Sequence, residues 1–272
     1  MSEVSHGVLS VEKSRRILPW CRCSVEPRPP KRSCCTRLKD DEIQKPDLAI
    51  YSQLEQLSNG QNPTWDSPDI TTNAWRPFRL LEEAHVIVRN LSPNASAVNA
   101  LVNYYIAPFG IGMRRELKSS KRISLAANSQ VELLFPLEQA VLSGDPRVGV
   151  HVEIEHPHDS KAINNKGAQI HVGDYTTEAG RTHSVSIPVL NDSAFARQIS
   201  FQILPTNLNA SITPTSHNFA PGEQITATLN VEVPASMVGS SSNVINESVT
   251  VMGIAADGTL VGGVTRLLRI DS

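Results

Sequence analysis

Between His151 and Gly173 the chain reads HVEIEHPHDSKAINNKGAQIHVG, two alternating apolar runs on either side of a polar segment that ends in Asn164-Asn165. Alternation with a period of two marks a half-buried strand, and a polar stretch between two such runs marks a turn. A chain written this way folds into short strands. This segment closes one β-sandwich domain just before a second begins.

The rest of the sequence extends the pattern. With 272 residues, the chain exceeds the size of a single ordinary core, so two domains and an arm are expected. Its 18 prolines and 15 glycines suit many strands joined by punctuated turns. In the first domain, residues 46–173, strands are expected at 85–90, 98–107, 123–125, 130–137, 148–155 and 168–172. Before them, Leu48 and Ile50 mark an edge segment, Ser58 to Asn62 a loop, and Ser67-Pro68 a tight turn. Residues 174–181 form a short polar linker. The second domain, residues 182–272, carries strands at 182–191, 199–204, 224–233, 247–255 and 260–270, with turns at Ala220-Pro221-Gly222-Glu223 and Asp257-Gly258. Each domain has its own strand set, and residues 182–272 are expected to fold alone. The fold class expected is all-β, two tandem immunoglobulin-like β-sandwiches with an extended N-terminal arm.

The phrases VRNLSPNASA, VNYYIAP and SQVELLFPL, followed by HVEIEHPHD and INNKGAQIHV, span about residues 84–173. Their order resembles bacterial immunoglobulin-like domains of the CARDB type. Asn191-Asp192-Ser193 with Phe219-Ala220-Pro221-Gly222-Glu223 is similar to fibronectin-like bacterial sandwiches, in which a proline-glycine turn precedes the longest strand. Such domains serve as scaffolds and spacers, so the resemblance implies fold rather than activity.

Residues 1–45 form the arm. Residues 1–39 hold nine Lys and Arg against three acids, a charge of +6, while the remaining 16 bases and 24 acids leave the body at −8. A basic arm on an acidic body is the pattern of a tail that docks on an anionic surface, whether a partner protein, a nucleic acid or the body of a neighbouring copy. Ile17, Leu18 and Trp20, beside Arg15 and Arg16, are the candidate anchor. All four cysteines, Cys21, Cys23, Cys34 and Cys35, also lie in the arm. They suit a zinc site or an iron-sulfur cluster, disulfides across the gap between Cys23 and Cys34, or four free thiols, and the spacing decides for none of these.

Other constellations are weaker. His151, Glu153, Glu155, His156, His158 and Asp159 put six potential metal ligands within nine residues, but one face of a strand is ordinarily polar, and the alternation assigns them to a solvated face. The sequence has no G-x-S-x-G elbow, H-E-x-x-H pair, Walker loop or dinucleotide fingerprint, and the expectation is a protein that is not an enzyme. Aromatic content of 5% argues against a stacking groove for nucleic acid. No apolar run is long enough to span a bilayer. Ser14-Arg15-Arg16-Ile17-Leu18 leads into Pro19-Trp20-Cys21-Arg22-Cys23 rather than an apolar core, so no cleavable signal is expected, which fits a cytoplasmic protein or export by another route. The function expected is a structural or adaptor subunit of a larger bacterial assembly docked through its arm. The alternatives are an adhesion or ligand-binding module using the loops Ser58 to Asn62 and Ser236 to Asn243, or the accessory component of a separate hydrolase.

Overall fold

Alternation builds most of the computed structural model, which describes residues 44–75, 78–137, 147–174, 180–235 and 245–270. The first half holds β1 (Leu48–Ala49), the short helix α1 (Gln53–Ser58), β2 (Ile70–Trp75), β3 (Phe78–Asn90), β4 (Ala97–Pro108), β5 (Glu116–Leu125), β6 (Ser129–Pro136), β7 (Val148–Glu155) and, after a 3-10 turn at Ala162–Asn164, β8 (Lys166–Asp174). The second half holds β9 (Thr182–Leu190), β10 (Arg197–Ile203), β11 (Asn209–Thr213), β12 (Ser216–Phe219), β13 (Gln224–Glu232), β14 (Ile245–Ala255) and β15 (Leu260–Ile270). The protein is all-β apart from α1 and the 3-10 turn among the described residues. Ile43–Ser272 form one compact unit.

Several elements differ from the sequence expectation for clear reasons. Residues expected as edge and loop contain α1, whose first turn is capped by Ser52: its Oγ accepts from the Glu55 N–H, the S-x-x-E arrangement of a capping box. Strand β5 runs ten residues, where only its last three are apolar enough to show. It is an edge strand among the described residues, and its lysines suit such an edge. Strands β2, β11 and β12, none longer than six residues, lie outside the expected strands.

One sheet runs through both halves. Eight strands are hydrogen-bonded in the order β12-β10-β14-β15-β8-β7-β4-β5, and only the β15–β8 pair is parallel. Two smaller sheets, β1 and β2 with β3 and β6, and β11-β13-β9, complete the described topology. In register, Val150 of β7 pairs Gln169, and His171 pairs Thr265, which in turn pairs Thr250. Paired residues share a face and neighbours along a strand alternate. Val150, Val152, Gln169, His171, Thr265 and Thr250 therefore lie on one face, and Ile170, Val264, Val251, Phe201 and Ile199 on the other.

The first core uses the first face: Val102, Tyr104, Ile106, Val150 and Val152 pack against Val86, Val88, Leu133 and Phe135 from β3 and β6. The second uses the opposite face: Ile199, Phe201, Val249, Val251 and Val264 pack with Ile187, Val189, Leu229 and Val231 from β9 and β13. The two lobes thus cover opposite sides of one sheet. The strand orders β5-β4-β7-β8 and β12-β10-β14-β15 correspond element by element and meet through their last members, as a two-fold axis along the strands would place them.

Two pieces of the first lobe pack on strands of the second, one on each face of the sheet. Trp65 (2% exposed) lies on β15 at Gly263, where a Cβ would stand 2.5 Å from its ring. Its N–H donates to Thr265 Oγ1 at 2.8 Å and its carbonyl accepts from the Ile170 N–H at 2.8 Å. From the opposite face, Ile111 (0% exposed) reaches Gly253, where a Cβ would come within 2.9 Å of its side chain. Its N–H donates to Pro188 O at 2.9 Å, and its carbonyl accepts from the Leu190 N–H at 3.0 Å. The seam between the lobes is clamped on both sides.

Candidate functional site

Beside the Ile111 clamp lies a cleft of ≈ 300 Å³ lined by Gly110, Gly112, Met113, Arg115, His151, Ile170, Asp192, Arg197, Val261 and Gly262. It draws on both lobes. The segment after β4 brings Gly110 to Arg115, the outward face of β7 brings His151, the turn after β9 brings Asp192, and the first residue of β10 is Arg197. The segment is held in place because Ile111 exchanges backbone hydrogen bonds with the end of β9.

Charge in the cleft is arranged in pairs. Arg114 Nε donates to Asp192 Oδ1, and Arg115 Nη1 donates to Glu153 Oε1 at 2.6 Å. Lys166 Nζ stands 3.3 Å from the same Glu153 oxygen, and the Arg115 guanidinium lies 4.9 Å above the Tyr105 ring. Burial works to raise the Glu153 carboxyl, but Arg115 and Lys166 outweigh it and hold the group below its usual range. Burial, helped by the neighbouring positive charge of Arg115, pushes the His151 imidazole down to about 4 against the smaller opposing pull of Glu153. His151 is accordingly neutral near pH 7. Arg197 is half-buried, and its Nε, which has no exposed surface, has no hydrogen-bond partner among the described residues.

A second polar cluster sits inside the first lobe. His171 Nδ1 lies 2.8 Å from Asp66 Oδ1 and Nε2 lies 2.8 Å from Asn73 Oδ1, while Gln169 Nε2 donates to the same Asp66 oxygen at 3.1 Å. Burial raises the Asp66 carboxyl, yet the contacts from His171 and Gln169 bring it below its ordinary value. The cluster joins the Trp65 strap to β8.

The six sequence-predicted ligands do not converge. His151, Glu153 and Glu155 share a face of β7, as the alternation requires, but Glu153 is taken by Arg115 and Lys166 and Glu155 by Asn103. His156 faces Val98 O across 3.2 Å, and Asp159 accepts from the Leu48 N–H at 3.1 Å and from Asn165. Among the described residues no group of three or more His, Cys, Asp and Glu could hold a metal ion. Arg15, Arg16, Ile17, Leu18, Trp20, Cys21, Cys23, Cys34 and Cys35 lie outside the described residues, as does the loop Ser236 to Asn243. Ser58 to Asn62 is the end of α1 and the turn after it. Among the described residues no helix is long and apolar enough to cross a membrane.

The sequence reading missed Arg115, Arg197 and both clamps. The available signal was Gly110-Ile111-Gly112, a β-branched residue between glycines directly after a strong strand pattern, where close backbone approach is expected.

No protein-family model and no curated protein matches the sequence. Among solved structures, Escherichia coli alpha-2-macroglobulin activated by porcine elastase is similar over 85% of this chain at 8% identity and a TM-score of 0.27, and the chain spans only 22% of its length. A protein of unknown function from Porphyromonas gingivalis is similar over 69% of this chain and 91% of its own, at 13% identity and a TM-score of 0.27. A Pseudomonas aeruginosa tip adhesin is similar over 83% of this chain and 97% of its own, at 7% identity and a TM-score of 0.22.

Proposed function

We propose that this chain is a non-catalytic structural or adaptor module, two immunoglobulin-like sandwiches fused into one stiff body, that joins a larger assembly through its basic N-terminal arm. The observation that carries this reading is the seam. Tandem domains on a plain linker move relative to each other by default. Here a continuous sheet, Trp65 on one side and Ile111 on the other oppose that motion. Such construction serves a part that must transmit or hold a fixed geometry.

The Arg114–Asp192 and Arg115–Glu153 ion pairs, with Lys166 beside Glu153, support the same reading, since they commit these charges to one another. The strand order of each lobe, a β3–β6 or β9–β13 pair opposite a four-strand quartet, supports the immunoglobulin-like assignment. The charge of +6 on residues 1–39 against −8 on the remainder favours docking of the arm on an acidic partner or a second copy. Size-exclusion chromatography with light scattering on the full chain and on the chain lacking residues 1–45 tests the proposal. Large species that form with the arm, shrink without it and weaken with salt are the expected result. Identical species with and without the arm would defeat the docking role.

A further inference from the structure

The seam cleft holds a cation that the protein leaves incomplete. Arg114 is answered by Asp192 and Arg115 by Glu153. Arg197 is not answered in this way. Asp257 feels its charge, but its carboxylate is bonded to the Thr259 N–H instead. A half-buried guanidinium with unmet donors is costly to keep, because it has given up part of its hydration without gaining a bond in exchange.

We propose that the cleft binds a small carboxylate, with the Arg197 guanidinium as its principal partner. Three features favour this class of ligand. The planar guanidinium fork matches a carboxylate with two parallel hydrogen bonds. Arg115 and Arg197 line the cleft, and since Arg115 is paired with Glu153 while Arg197 has no ion pair among the described residues, a single cation is left that matches a monoanion, whereas a phosphate near pH 7 would bring surplus negative charge beside Asp192 and Glu153. The ≈ 300 Å³ cleft is at the lower end of the size range for small-molecule sites, and its Met113, Ile170 and Val261 walls suit a short apolar tail on the ligand. His151 enters the same cleft as a neutral ring, able to hydrogen-bond without adding charge.

The test is a titration of the full chain with sodium acetate, with sodium chloride at matched ionic strength and sodium phosphate as comparisons. The Arg197 Nε–Hε and His151 Cε1–H resonances are followed by NMR. Acetate should move both saturably, with a dissociation constant of about a millimolar, an affinity within reach of so small a ligand. Chloride should not saturate. Arg197→Lys, which keeps the charge and loses the fork, should weaken the His151 response at least tenfold while leaving the amide spectrum that of a folded protein. Indistinguishable acetate and chloride titrations in the unmodified chain would overturn the proposal without reference to any variant. Saturation by phosphate but not acetate would overturn the choice of ligand, and an unchanged acetate response in Arg197→Lys would overturn the role of Arg197.

Discussion

The two lobes share a strand order but complete their cores differently. The first core is drawn from residues 48–154 alone, with Tyr104 stacked on Phe135 at 4.6 Å between ring centroids. The second takes in Trp65, Phe109, Ile111, Ala168 and Ile170 from outside its own strands. The core of strands β9 to β15 therefore includes side chains of the first lobe, whereas the core of the first lobe includes none from the second. A pair of lobes that look equivalent in topology is unequal in dependence, and the inequality lies at the seam.

The largest effect that can break this comparison comes from the clamps. Trp65→Ala removes a buried indole over β15 and should cost about 3–5 kcal/mol, and Ile111→Ala about 2–5 kcal/mol. Chemical denaturation of each variant should show the loss, and amide hydrogen exchange should show it concentrated in β9 to β15. Protection lost equally from β3 and β6 would mean that the first core also leans on the clamps.

Next comes His151, which links the first lobe to the cleft. Its folded pKa of about 4 lies below the ordinary histidine value, so between those two pH values the unfolded chain binds more protons and stability rises with pH. The stabilisation present above the unfolded pKa is lost as pH falls toward 4, and at about 1.4 kcal/mol per pKa unit it amounts to at most about 3.5 kcal/mol. His151→Gln should flatten this part of the stability-against-pH curve. An unchanged slope would assign the pH dependence to other groups.

The smallest effect compares one device in two places. Asn90 (1% exposed) ends β3 in the first lobe, Asn191 (0% exposed) directly follows the corresponding β9 in the second, and each closes the turn beyond. Asn90 Nδ2 donates to Ala95, Leu125 and Ala126 carbonyls while Oδ1 accepts from the Asp47 and Ser92 N–H groups. Asn191 Nδ2 donates to Phe195 and Ala220 carbonyls and Oδ1 accepts from Ser193 N–H. Both Asn→Ala changes orphan buried groups and should be destabilising, with Asn90→Ala the worse by about 1 kcal/mol. Equal losses would indicate that the extra bonds of Asn90 are replaced by solvent.

Much of this fold is legible in the sequence because it is local. The apolar alternation places β4, β7, β9, β13, β14 and β15 within a few residues of their observed bounds. The turn at residues 156–159 falls where His156-Pro157-His158-Asp159 marks it. What resists reading is non-local or polar. Strand β5 is an edge strand exposed along most of its length and largely polar, so no period appears. The parallel pairing of His171 with Thr265 joins residues far apart in the chain, and nothing in either segment encodes the partner. Trp65 stands in the polar phrase Trp65-Asp66-Ser67-Pro68, which reads as a surface turn although the ring is buried. The cleft depends on that same seam, and so Arg115 and Arg197 look like ordinary surface arginines until the lobes are joined.

Differential scanning calorimetry of the full chain tests the central claim, that the two lobes form a single cooperative body, most directly. One transition is expected for the sandwiches, with a van't Hoff enthalpy equal to the calorimetric enthalpy. Trp65→Ala should lower that transition or split it, with the second lobe melting first. Two resolved transitions in the unmodified chain, with Trp65→Ala moving neither relative to the other, would contradict the claim.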